Sequence, residues 1–183
     1  MPNANSAALA SRAIGAMFFT VFGTAWIGLW NQRAFAGPVA NLAVIVALGL
    51  AILWRAWLQY NQNKSAHEAE AESPARKQAS RIFNIVNVTQ WVAILVVGNV
   101  LANIGLGIWV LPSAMLIIGL HFFPLAKAFN NPNLNYTGAA MVVLAVGYPL
   151  IAPQGAADPV GCLLEGLILW ASAVHALLPR QAA

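Results

Sequence analysis

Glu165 is the residue in this sequence best placed to do chemistry. It lies among Leu163, Leu164 and Leu167, and no other acid falls inside an apolar run. An ionised carboxylate at the centre of a bilayer costs roughly 2.5–3.5 kcal/mol on insertion scales. Such a group faces the protein interior, pairs, or is protonated. One reading is a proton or cation site. The other is a structural hydrogen bond to a neighbouring helix, or a carboxylate at the outer interface, and the two weigh evenly.

His121 sits in Leu120-His121-Phe122-Phe123-Pro124, and His175 lies near the end of the last apolar run. A neutral imidazole can bind a metal or haem, or relay a proton. The two histidines fall at depths more than one helical turn apart. No HxxxH, CxxC or Glu-x-x-His cluster accompanies them, so no metal and no cofactor is expected. A histidine bonded to a backbone carbonyl or an Asn is the favoured reading. The third polar group is a set of amides, Asn84, Asn87, Gln90 and Asn99 with Thr89, in a single apolar run, and Asn103 lies just past its end. At about 100° per residue they spread around a helix and form no narrow stripe. They either line a polar path or hydrogen-bond across helices, at about 0.6–2 kcal/mol each.

Membrane-spanning helices must position these groups. The chain of 183 residues is 60% hydrophobic and 8% charged, far from the globular balance of about 45–50% apolar and about 25% charged. A spanning helix needs roughly 17–25 apolar residues. Six runs qualify, at about 14–30, 39–57, 82–102, 111–128, 136–151 and 159–178. The fold expected is an all-α integral membrane protein, a single transmembrane domain of six helices in three hairpins. Strands are excluded because the runs do not alternate and a lipid-spanning sheet must close into a barrel. Arg12, the run Ile14–Trp30 and Ala34-Phe35-Ala36 imitate a secretory signal. The run exceeds the usual 7–15 or so residues, and it reads as the first transmembrane helix.

The few charges are unevenly placed. Arg55, Lys64, Glu68, Glu70, Glu72, Arg76, Lys77 and Arg81 all fall in one polar segment, expected as a cytoplasmic loop over 58–81 after a short N-terminal tail, Met1–Ser11. Within it, Ser73-Pro74 is a helix start: Ser caps orphan N–H groups and Pro suits the first turn. With six helices, Arg12, Arg55, Lys64, Arg76, Lys77, Arg81, Lys127 and Arg180 share one side, and Arg33 lies opposite. Cytoplasmic loops carry excess Lys and Arg, so the N-terminus, C-terminus and polar loop are expected in the cytoplasm. A bacterial-type inner (plasma) membrane is the expected location. The net charge of +4 does not indicate nucleic acid, because these cations form no basic face. Cys162 is the only cysteine and reads as a small buried apolar residue.

Pro38, Pro112 and Pro159 each begin an even-numbered helix. Excising Arg55–Arg81 equalises their spacing, which is compatible with a triplicated hairpin but also with helices matched to one bilayer. Small residues at four-residue steps, Ala16, Thr20, Thr24 and Gly28, and the pair Gly98 and Ala102, offer faces for close helix approach. Such faces serve packing within the chain, a homo-oligomer or a partner membrane subunit; beyond these the bilayer is the expected partner.

The functional expectation is a small transporter or channel for a small solute or ion, proton-coupled through Glu165. His121, Asn99, Asn103, Asn87 and Gln90 would line the path. The alternatives are a non-catalytic membrane subunit or scaffold binding protein, lipid or pigment, and a membrane-embedded haem protein or enzyme using His121 or His175. An enzymatic role is the less favoured, since no Gly-rich phosphate loop, Ser/His/Asp arrangement or paired catalytic carboxylates occur in the apolar runs.

Overall fold

The structure, a computed structural model, describes residues 4–70 and 73–178. Its helices are α1 (Ala4–Phe35), α2 (Val39–Glu70), α3 (Pro74–Asn103), α4 (Val110–Ala128), α5 (Asn133–Ile151) and α6 (Val160–Leu177), with short 3-10 turns at Gly107–Trp109 and Gly155–Ala157. Six helices are long and apolar enough to cross a membrane, and there are no strands among the described residues. Many large apolar side chains lie exposed, such as Val39, Val88, Val143 and Ile151. An exposed apolar surface this extensive marks contact with lipid.

Two stretches differ from the expected tail and polar loop. Helix α1 begins at Ala4, and α2 runs on through Glu70. Each has 32 residues, so each is about 48 Å long against a hydrocarbon core of about 30 Å. Composition explains the extension. Ala, Gln, Lys and Glu are strong helix formers, and Lys64 Nζ lies 3.6 Å from Glu68 Oε1 one turn on. The deciding contribution is tertiary: Ala7, Ala10, Ala13, Ala56 and Ala66 are all buried. Their small side chains let helices approach closely. Gln59 Nε2 donates to the Leu9 carbonyl at 3.2 Å, and Ser11 Oγ lies 3.4 Å from His67 Nδ1. The start of α3 at Pro74 matches the Ser73-Pro74 signal. Arg180 and Glu72 lie outside the described residues.

The chain divides into two compact units. One comprises Met1–Ser73 with Gly166–Ala183, the other Pro74–Glu165, so the division falls within α6. In the first unit, α1 and α2 run antiparallel. The α1 stripe packs inside the chain: Ala16 and Thr20 are buried, and a Cβ at Gly49 would strike the Thr24 side chain. Thr20 and Thr24 hydroxyls each donate to the carbonyl four residues back, at 2.7 Å. The C-terminal part of α6 lies as close: a Cβ at Gly23 would stand 2.9 Å from the Gly166 carbonyl oxygen. Trp170 Nε1 lies 3.3 Å from both the Thr20 carbonyl and Thr24 Oγ1. Arg12 Nη2 donates to the Leu178 carbonyl at 3.0 Å and to that of His175 at 3.4 Å, a cation on the orphan acceptors of a helix C-terminus.

In the second unit, α4 packs against both α3 and α5. The α4–α5 contact is glycine on glycine: a Cβ at Gly138 would lie 2.7 Å from the Gly119 carbonyl oxygen. The intervening turn uses Asn130 at φ +46°, with the Asn131 N–H bonded to the Ala126 carbonyl at 2.9 Å. Asn is among the few non-Gly residues that adopt this left-handed conformation readily. Near the end of α5, buried Tyr148 donates to the Ala156 carbonyl in the following turn at 3.2 Å. Asp158 Oδ1 accepts from the Val160 N–H at 2.9 Å, which caps α6.

Candidate functional site

The candidate site is built on α3 and α4. Their facing surfaces form a cavity of about 370 Å³ that is open along one side. From α3 come Thr89 and Gln90, with Ile85, Val86 and Ala93; from α4 come His121 and Pro124, with Ile117 and Leu120. The spacing follows from helix geometry. Residues 86, 90 and 93 recur at steps of three and four, as do 117, 121 and 124, so each set shares one helix face. The walls are mostly apolar, as binding cavities usually are, with few polar groups to fix orientation.

Those polar groups are unevenly satisfied. Gln90 Oε1 is buried and has no hydrogen-bond partner among the described residues. His121 Nδ1 bonds the Ile118 carbonyl on its own helix. A carbonyl only accepts, so Nδ1 carries the proton and Nε2 of the neutral ring keeps a free lone pair. Pro124 has no N–H, which removes the helical bond that position 124 would give the Leu120 carbonyl. Leu120 and Pro124 both line the cavity. No Asp, Glu, Lys or Arg lines it.

Glu165 lies elsewhere. It is 0% exposed on α6, on the buried face with Gly161 and Cys162, and is not part of the cavity wall. Neither carboxylate oxygen has a hydrogen-bond partner among the described residues. The structure therefore brings Gln90 and His121 together and leaves Glu165 apart from them. Asn87 is half-buried on α3 but outside the cavity wall. Asn99 and Asn103 are exposed, and their Nδ2 groups donate to the Leu95 and Asn99 carbonyls at 2.7 and 2.8 Å. Asn99 lies nine residues beyond Gln90, about 14 Å along the helix.

His175 is exposed, and its carbonyl accepts from Arg12. No group of three or more His, Cys, Asp or Glu that could hold a metal ion occurs among the described residues. Two contributors were not singled out from the sequence. Thr89 stands with the amides in the sequence without a site of its own, and the Leu120 carbonyl is a backbone group that its own residue type does not mark. The latter was readable in principle, since a proline inside a helix always strips a donor from the carbonyl four residues back. No family model, no curated protein and no solved structure matches the chain.

Proposed function

We propose that this multi-pass membrane protein is a small transporter or channel for a small solute or ion, with proton coupling through Glu165. The observation that supports it is the burial of Glu165 without a partner for either oxygen. A carboxylate kept for helix packing would be expected to accept a hydrogen bond, because a buried polar group left unpaired costs about 1–3 kcal/mol. An unpaired carboxylate in an apolar helix has a different use: it can take and release a proton or hold a passing cation. The α3–α4 cavity supplies a solute site. The excess of Lys and Arg beside the ends of the apolar runs supports cytoplasmic termini, and an inner-membrane location follows from that reading.

The test is flux. Proteoliposomes loaded with a pH-sensitive dye are given a potassium diffusion potential in the presence of a panel of sugars, amino acids and monovalent ions. Proton movement above that of empty liposomes is expected with at least one solute, and it is expected to vanish in Glu165→Gln. Equal proton flux in the variant and the parent would remove Glu165 from the mechanism.

A second reading, a non-transporting membrane subunit, is favoured by α3. None of its most apolar window is buried, and Val88, Leu95, Val96 and Val100 lie on the surface beside Asn99. A stable partner or second copy that co-purifies, with no flux for any solute, would select this reading.

A further inference from the structure

We propose that the α3–α4 cavity binds a small, uncharged, ring-sized lipophile carrying a hydroxyl donor, of the phenol or hydroquinone class. This rests on reading the cavity as the solute site and names what that site takes. Three features converge on it.

The first is the sign of the unsatisfied groups. Gln90 Oε1 is an unpaired acceptor. His121 Nε2 is an acceptor, because Nδ1 spends its proton on the Ile118 carbonyl. The Leu120 carbonyl lacks the helical donor that Pro124 cannot supply. Gln90 Nε2 and the Thr89 hydroxyl can donate, but acceptor atoms outnumber donor atoms here, so the complement is a group that donates as well as accepts. A hydroxyl does both, whereas a quinone, an ether or a ketone only accepts and leaves the cavity's acceptors unpaired.

The second feature is the absence of charged side chains among the lining residues. An ammonium or carboxylate ligand would enter an apolar wall with no counter-ion, which is costly. A neutral hydroxyl avoids this.

The third is access and size. Ile85, Thr89, Leu120 and Pro124 at the rim are exposed, while Val86, Gln90, Ala93 and His121 lie deeper. Most of that rim is apolar, so the route in is sideways from the hydrocarbon, where a lipophile is already concentrated. About 370 Å³ is at the small end of ligand cavities, which suits one or two fused rings.

The experiment compares two probes that differ only in the donor, 1-naphthol and 1-methoxynaphthalene. Equilibrium dialysis is run against the protein in nanodiscs, with empty nanodiscs of the same lipid subtracted. The naphthol is expected to bind about tenfold more tightly, the worth of roughly one well-made hydrogen bond. Gln90→Leu and His121→Phe are each expected to lower naphthol affinity about five- to tenfold and to leave the ether unchanged. Equal affinities for the two probes in the parent protein, or no binding above empty nanodiscs, would overturn the proposal, and neither result depends on a variant folding. Selective naphthol binding by a protein that moves no solute upholds this site and defeats the transport reading. Solute flux without naphthol binding does the reverse.

Discussion

In the α1–α2 pair, polar side chains reach across to the neighbouring helix: Gln59 donates to the Leu9 carbonyl, and Ser11 meets His67. In α3 they do not. Asn99 and Asn103 donate to their own helix, and Gln90 Oε1 has no partner. All three helices are apolar enough to span a membrane, so hydropathy does not separate them. What separates them is whether a polar atom is used in packing. The first unit uses both kinds: Gln59, Ser11, Arg12 and Trp170 reach another helix, Thr20, Thr24, Asn63 and Ser172 donate to their own, and buried Asn31 keeps Oδ1 unpaired while Nδ2 reaches the Pro38 carbonyl at 3.5 Å. In the second unit free acceptors lie in two places, at the α3–α4 cavity and on Glu165. Polar residues that glue helices together and polar residues left open to a ligand look alike in a sequence and differ in their partners.

That contrast can be broken or sharpened by substitution. The largest effect is expected where backbones touch. Gly138→Leu sets a side chain against the Gly119 carbonyl, 2.7 Å from the first added carbon, and is expected to destabilise the α4–α5 contact by about 3 kcal/mol in a reversible unfolding assay. A variant as stable as the parent would mean the two helices separate easily. Next comes Glu165→Gln, expected to keep the fold and reduce proton flux at least tenfold, about 1.4 kcal/mol in the relevant barrier. Loss of folding instead of flux would return Glu165 to a structural role.

Gln59→Leu should cost about 1 kcal/mol, since it removes buried Gln59's donor to the Leu9 carbonyl, a part-buried bond between α1 and α2. An unchanged melting temperature would show that the α1–α2 pair does not depend on this bond. The smallest effect belongs to Asn99→Leu, expected within about 0.5 kcal/mol of the parent because Asn99 is exposed and its side chain donates only to the Leu95 carbonyl one turn back. A larger loss of stability would reveal a partner seated on α3, which would favour the subunit reading.

Helix number and type were legible because apolar runs of bilayer length leave few alternatives. The extents of α1 and α2 were not. Polar and alanine-rich ends resemble tails and loops until the buried alanines are paired, and pairing is a tertiary event. For the site, residue types were legible and grouping was not. Gln90 and His121 are 31 positions apart, and only the α3–α4 packing shows that they share a wall. Asn99 and Asn103 looked equivalent to Gln90, yet the curvature of a helix turns them outward. The isolation of Glu165 from any partner could not be read at all, because a missing bond leaves no trace in a sequence.

The bond from Arg12 to the Leu178 carbonyl joins positions 166 residues apart. Ribosomes add roughly 5–20 residues per second, so about ten to thirty seconds separate the birth of its two ends. Through that interval Gly23, Thr20 and Thr24 on α1 present a small-residue surface with no α6 against it. A nascent chain in this state needs either lipid or a membrane-resident chaperone to occupy the vacancy. Stalling synthesis before Gly166 is translated should leave an intermediate whose α1 accepts crosslinkers at positions that become protected on completion.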